Sequence, residues 1–101
     1  GVLLINTAFT VEINSIGSHY ALWKPFTQYL FENINRHHKD IPTILMGKKA
    51  EAWELLLNRQ KLYKVAHPAS AAYRGGEWDC KDVFNRVNQE LENQEKTCIT
   101  W

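Results

Sequence analysis

Residues 61–79 read KLYKVAHPASAAYRGGEWD, and the order of residue types in this stretch indicates how the chain folds. Its first part, Lys61–Ala66, carries enough apolar side chains to predict a short strand. The strand should end at His67, because Pro68 disfavours a helical conformation in the residue before it. Small residues and a Gly-Gly turn follow, and a helix is predicted near Asp79, which can act as its N-cap. A histidine is thus expected at the carboxyl end of a strand, where open α/β sheets bind ligands.

Two further apolar runs have the pattern of strands that are buried on both faces of a parallel sheet. They are Val2–Ile5, which reads VLLI, and Thr43–Met46, which reads TILM. Helices are predicted from Trp23, with Pro25 in the first turn, and again after Lys48-Lys49. The predicted apolar faces of the helices are Trp23, Phe26, Leu30 and Ile34, then Ala50, Trp53 and Leu57, then Val83, Phe84, Val87 and Leu91.

The alternation of strands and helices predicts an α/β fold of three layers, α/β/α. Helices should cover both faces of a short parallel sheet through right-handed crossovers. The 101 residues suffice for one domain with one core, so residues 1–101 are predicted to form a single α/β domain. Three strands are expected within this sequence.

Composition narrows the functional classes. The net charge of +1 offers no broad basic surface, so any contact with nucleic acid must be local. No apolar run approaches the roughly 18 residues of a membrane helix, and no signal peptide is visible. Cys80 and Cys98 lack CxxC spacing, and no His/Cys cluster has zinc-ligand spacing. A disulfide between them stays open, but a reduced intracellular protein is the favoured interpretation.

Polar residues follow each predicted strand, and the strand ends should lie along one rim of the sheet. These residues are Asn6, Gly47-Lys48 and His67. The Asn6 amide can both donate to and accept from the edge of a nucleobase. His67 can donate a hydrogen bond to a developing oxyanion. Simpler interpretations remain open: a strand-end cap for Asn6, a solvated lysine for Lys48, and an ordinary His-Pro turn for His67.

The motifs together resemble the C-terminal half of a family 1 uracil-DNA glycosylase. They are GVLLIN, SH followed by W-x-x-F-T, ILMG, AHPxSxxxYRG and a final I-x-W, and they span nearly all 101 residues. The resemblance implies base-excision DNA repair by a monomer in the cytoplasm or nucleus. Deoxyuridine is flipped out of DNA, and its N-glycosidic bond is hydrolysed without a metal or cofactor. The alternatives are a non-catalytic glycosylase-like scaffold that binds DNA or protein, and a nucleotide-binding α/β domain.

The resemblance also assigns roles to individual residues. Asn6 matches the asparagine that reads uracil. His67 matches the catalytic histidine that hydrogen-bonds the uracil 2-carbonyl as charge builds on the leaving base. The positions that match DNA-contacting loops are Gly47, Lys48, Pro68, Ala69, Ser70, Ala71, Ala72, Tyr73 and Arg74.

The sequence departs from the family pattern at three places. The GQDPYH motif, with its water-activating aspartate, is absent from these residues. We expect it upstream, on a central strand between Val2–Ile5 and Thr43–Met46, and residues 1–101 alone should not excise uracil. The family loop HPSPLS reads HPASAA and is one residue shorter before Tyr-Arg-Gly, with alanine at or beside Ala71 in place of a wedging leucine. Lys48 replaces a serine. Variant loops of this kind are typical of viral or phage members.

Overall fold

The computed structural model describes all 101 residues except for the side chain of Arg74. In the described chain two strands, β1 (Pro42–Met46) and β2 (Lys61–Val65), pair in parallel. Their register runs from Pro42 opposite Lys61 to Met46 opposite Val65. The helices of the described chain are α1 (Tyr20–His37), α2 (Lys48–Glu51), α3 (Ala69–Arg74) and α4 (Val83–Asn93). Helices around a short parallel sheet confirm the predicted α/β class.

Helical segments cover both faces of the sheet. Leu45 of β1 is buried with Phe31 of α1 and with Leu57, which follows α2. Side chains alternate along a strand, so neighbouring positions face the opposite side. There, the guanidinium of Arg86 in α4 lies over the ring of Tyr63, 5.0 Å from its centroid. Partly buried residues that extend the first core are Leu30, Ile34, Ala50, Trp53, Leu56 and Leu62.

The helices begin at other residues than the sequence indicated. Helix α1 starts three residues before Trp23, at Tyr20, so Pro25 lies inside the helix and not in its first turn. Helix α4 starts at Val83, and Asp79 does not cap it. Asp82 is the residue before α4 and adopts φ 55°, a left-handed conformation. Such a turn delays the helix.

The prediction of a strand at Val2–Ile5 is wrong for this structure. These residues form no regular element, and Val2, Leu3 and Leu4 are 53%, 72% and 87% exposed. A strand is stabilised by hydrogen bonds and side-chain contacts with a neighbouring strand. Within the described chain no strand lies beside Val2–Ile5, since the sheet contains only β1 and β2.

The alanine-rich stretch after His67 forms helix α3, where the sequence predicted a loop. Pro68 precedes the helix with φ −55° and ψ −34°, which already suits a helical turn. Alanine has the highest helix propensity, and Gly75 ends the helix at φ 65°. None of the helices in the described part of the chain is long and apolar enough to cross a membrane.

Candidate functional site

The parallel strands bring Gly47 and His67 together at one edge of the sheet. The Gly47 N–H donates to the Val65 carbonyl at 2.9 Å, which extends the ladder beyond β1. A Cβ added to Gly47 would lie 2.9 Å from the Cβ of His67, closer than side chains tolerate. Gly47 also has φ 86° and ψ 169°, a region nearly restricted to glycine. Glycine at this position therefore permits the histidine to sit against β1.

The backbone after His67 fixes its imidazole ring. The Ala69 N–H donates to Nδ1 at 3.1 Å. The Ser70 N–H and hydroxyl both donate to the His67 carbonyl, at 2.9 Å and 2.7 Å. Because Nδ1 accepts a hydrogen bond, the neutral ring carries its proton on Nε2. Within the described chain Nε2 has no hydrogen-bond partner, and His67 is exposed, so Nε2–H can donate to a bound molecule.

Trp78 contacts the backbone of the strand end that carries His67. Its Nε1–H donates to the carbonyl of Ala66, the residue before His67, at 2.8 Å. Its ring meets the ring of Phe84 edge-on at 6.2 Å, and Phe84 lies 4.8 Å from Trp101. A chain of aromatic contacts thus joins the strand end to α4 and to the last residue. Sequence reasoning did not assign Trp78 a role; a tryptophan in the polar stretch GGEWDCKD is the signal that was available.

The predicted DNA-contacting loop occupies a small projection beside His67. Pro68 begins it, and Ala69, Ser70, Ala71 and Ala72 follow in α3. Tyr73 follows with 86% of its surface exposed. Ala71 is partly buried, and the backbone of Arg74 completes the helix.

Asn6 lies outside the two-stranded sheet of the described chain. It is exposed within the N-terminal segment that forms no strand, and in the described chain its side chain has no hydrogen bond. The next residue is anchored: the hydroxyl of Thr27, which is fully buried, donates to the Thr7 carbonyl at 2.8 Å. Lys48, by contrast, follows Gly47 directly and is exposed. Gly47, Lys48 and His67 thus lie at the ends of the paired strands, whereas Asn6 lies in a segment that pairs with no strand of the described chain.

A second polar network holds the segment between Asn6 and α1. The indole N–H of Trp23 donates to the Thr10 hydroxyl at 2.7 Å. That hydroxyl also shares a hydrogen bond of 2.8 Å with Nδ1 of His19, whose direction is set by the tautomer of the histidine. Phe9 packs edge-on against Trp23, with ring centroids 5.0 Å apart. These contacts explain why SH and W-x-x-F-T occur together in the sequence.

Ion pairs of the described chain lie away from the His67 edge. Lys61 meets Asp40 at 4.0 Å at the opposite, amino end of the strands. Lys64 meets Glu54 at 3.0 Å, and this hydrogen bond and the carboxylate charge raise the pKa of Lys64. Among the described side chains, no group of three or more His, Cys, Asp or Glu could hold a metal ion.

Both thiols are free, so the alternative of a disulfide is not realised in this structure. Desolvation and a hydrogen bond to Glu92 raise the pKa of the Cys98 thiol. A thiol with a raised pKa is a weaker nucleophile at neutral pH. Neither Cys80 nor Cys98 belongs to the His67 edge.

No protein-family model matches the chain. Curated relatives do match it over its full length. It is 39% identical over 105 residues to the uracil-DNA glycosylase of Pseudomonas paraeruginosa strain PA7, and 36% identical over 104 residues to that of Vibrio vulnificus strain YJ016. It is 34% identical over 104 residues to that of Yersinia pestis strain Pestoides F. The alignments cover 45%, 46% and 45% of these relatives.

The chain therefore spans about half the length of the curated relatives it matches. The relatives are DNA glycosylases by name. More narrowly, the chain matches the C-terminal half of uracil-DNA glycosylases, as the resemblance of its motifs predicted.

Proposed function

We propose that the chain provides the base-recognition and leaving-group side of a uracil-DNA glycosylase site that acts in base-excision repair. The reaction breaks the bond between sugar C1′ and uracil N1, and the electron pair leaves with the base. A water oxygen then forms the new bond to C1′ and gives up a proton, and the uracil anion takes up one proton, which yields uracil and an abasic site. The observation that carries the proposal is the exposed Nε2–H of His67 at the strand end, taken with the named relatives.

His67 would stabilise the departing uracil. Negative charge builds on the base as the glycosidic bond breaks, and a fixed donor aimed at the 2-carbonyl oxygen lowers the barrier. The hydrogen bond from Ala69 to Nδ1 keeps the ring in the tautomer that can donate. The hydrogen bonds that Ser70 donates hold the backbone carbonyl of His67 in place. Little reorganisation is therefore needed when charge develops.

Asn6 would select the base. Its amide can accept from the N3–H of uracil and donate to the 4-carbonyl oxygen, a pair of bonds that cytosine cannot satisfy. This role requires the exposed segment 1–6 to order against the edge that carries His67. We attribute that ordering to an upstream part of the protein, which would also supply the water-activating carboxylate. Asp40, for comparison, lies at the amino end of the strands, beside Lys61.

Lys48 and the α3 projection would contact DNA around the flipped nucleotide. Flipping costs a few kcal/mol in a duplex and least in a single strand. A wedging side chain offsets part of that cost by filling the gap in the stack. Ala71 has too little bulk and is partly buried, so the proposed substrate preference is uracil in single-stranded DNA.

The test is single-turnover uracil release by the intact protein carrying His67→Ala. Loss of one oxyanion donor costs on the order of 3 kcal/mol, or ~100-fold in rate. DNA affinity should stay nearly unchanged, because the donor acts mainly as charge develops. The matched control is His37→Ala at the end of α1, an exposed histidine away from the edge. Release by the His67 variant within about threefold of the parent would refute the assignment.

A second candidate is a glycosylase-like scaffold that binds DNA without cleaving it. It is favoured by one observation: two acidic residues near the sheet, Asp40 and Glu54, are paired with lysines of β2. The same assay separates the two functions. A scaffold would bind single-stranded DNA and release no uracil at any enzyme concentration, whereas the proposed glycosylase releases it.

A further inference from the structure

A groove of about 290 Å³ lies between α1 and the segment that follows β1. Two of its lining residues are next in sequence to candidate site residues, since Thr7 follows Asn6 and Lys49 follows Lys48. We call it the Lys24–Lys49 groove after its two cations. The residues that line it are Thr7, Tyr20, Ala21, Lys24, Lys49, Ala52 and Trp53.

The groove carries two positive charges, although the net charge of the whole chain is small. The chain as a whole carries only +1, yet the lining contains two lysines and no acidic residue. Both lysines are exposed, and neither forms an ion pair within the described chain. Nζ of Lys49 lies 5.0 Å from the centroid of the Tyr20 ring, a cation–π contact that orients it along the groove wall. A local anion would meet two uncompensated ammonium groups.

The walls are fixed by the core rather than by the groove itself. Trp53 packs edge-on against buried Phe31, with centroids 5.4 Å apart. Thr7 is held through its carbonyl by the buried hydroxyl of Thr27. Tyr20 and Trp53 are half-buried, so each keeps part of an aromatic surface toward the groove. Cations that follow a backbone, set beside aromatic surfaces, are the features that bind single-stranded nucleic acid.

We propose that the Lys24–Lys49 groove binds the sugar–phosphate backbone of single-stranded DNA that leads away from the candidate site. Lys24 and Lys49 each neutralise one phosphate, and the aromatic walls contact the adjoining sugar or base. This inference rests on the proposed function for its ligand, and it adds a strand path that the sequence motifs did not contain. It also fits the small Ala71, which favours a substrate that is already unpaired.

The test is the salt dependence of binding to a uracil-free, single-stranded oligothymidylate, measured by fluorescence anisotropy with the intact protein. Each phosphate neutralised on a single strand contributes about 0.7 to the slope of log K against log salt. The double variant Lys24→Ala/Lys49→Ala should therefore lower the slope by about 1.4. The matched control is Lys39→Ala/Lys96→Ala, which removes the same charge from exposed positions outside the groove. Its slope should stay close to that of the parent.

Charge-preserving substitution guards against an effect of misfolding. Lys24→Arg/Lys49→Arg should retain the parental slope, since arginine also neutralises a phosphate. The proposal that the groove binds DNA would be overturned by an unchanged slope in the alanine double variant. It would also be overturned by an equal fall of the slope in the control. Absence of binding by the parent protein would overturn it as well.

The outcome for the groove is independent of the outcome for the proposed function. If uracil release depends on His67 but the salt dependence of binding does not depend on Lys24 and Lys49, only the proposal that the groove binds DNA is contradicted. If the slope falls as expected and no uracil is released, the groove stands and the glycosylase proposal fails.

Discussion

The strands that lead to the His67 edge and the N-terminal segment are both apolar runs in sequence, but only the former are strands in the structure. TILM and KLYKV paired as β1 and β2, and Val65 is 1% exposed. VLLI formed no strand, and Leu4 is 87% exposed. Their apolar content is comparable, so content does not explain the outcome. The difference lies in the neighbour: β1 and β2 have each other, and residues 2–5 have no strand beside them in the described chain.

The comparison divides the candidate site into two halves. The half with Gly47 and His67 is built by strand pairing and by the hydrogen bonds of Ala69 and Ser70. The half with Asn6 belongs to no strand of the described chain and is held through the Thr7 carbonyl, which accepts a hydrogen bond from Thr27. Under the proposed function, base recognition by Asn6 should depend on a further element, whereas the Ala69 N–H already holds the His67 ring.

The largest effect on stability and uracil release is expected at Gly47, where the backbone lies close to His67. Gly47→Ala would set a Cβ 2.9 Å from that of His67, at a backbone conformation of φ 86°. Such conformations cost of order 1–3 kcal/mol for other residues, so the free energy of unfolding should fall by about that amount. Displacement of His67 should lower uracil release as well. Chemical denaturation and single-turnover kinetics measure the two effects.

Gly76→Ala is the control, because nothing lies within 4 Å of a Cβ there. It should leave the free energy of unfolding and uracil release nearly unchanged. If both glycine variants behave alike, the close approach of Gly47 and His67 is not what shapes the edge.

A smaller effect is expected in the second half. Asn6→Asp replaces an amide that donates and accepts with a carboxylate that only accepts. Loss of one hydrogen bond to the base, at about 1.4 kcal/mol, should lower uracil release about tenfold. Cytosine release should become detectable, because its amino group gains an acceptor. The free energy of unfolding should not change, since Asn6 is exposed. If the variant releases uracil at the rate of the parent protein, Asn6 is a surface residue without a role in base recognition.

The smallest of these effects concerns Trp78. Trp78→Phe keeps an aromatic ring against Phe84 but removes the hydrogen bond to the Ala66 carbonyl. Such a bond contributes about 1 kcal/mol, so uracil release should fall roughly fivefold through a less well-held His67. The Michaelis constant should change less than the turnover number, because the proposed role of His67 is to stabilise the transition state. A selective loss of DNA affinity would instead indicate a direct contact with DNA.

Much of the fold could be predicted from periodicity and turn residues. The positions of β1, β2 and α1 followed from apolar runs and from the spacing of Trp23, Leu30 and Ile34. The start of α4 could not, because it depends on Lys81 and Asp82 adopting positive φ. The prediction of a loop at Ala69–Ala72 was wrong, because alanine has a high helix propensity and these residues begin helix α3.

The candidate site was predictable where topology decides it. Parallel strands place Gly47 and His67 at the same edge, whichever residues lie between them. The tautomer of His67 was not predictable, since it depends on the turn that aims the Ala69 N–H at Nδ1. Neither was the support from Trp78, a contact between residues 12 positions apart. Strand topology does not place Asn6, because it follows the run 2–5, which pairs with no strand of the described chain.

Hydrogen–deuterium exchange on residues 1–101, followed residue by residue, tests the division into two halves most directly. The amide of Gly47 donates to Val65, a residue that is 1% exposed. It should exchange slowly, because exchange requires opening of the β1–β2 pair. The amides of Leu3, Leu4 and Ile5 should exchange at nearly the rate of an unstructured peptide. Protection of those three amides equal to that of Gly47 would contradict the account, since both halves of the site would then be ordered together.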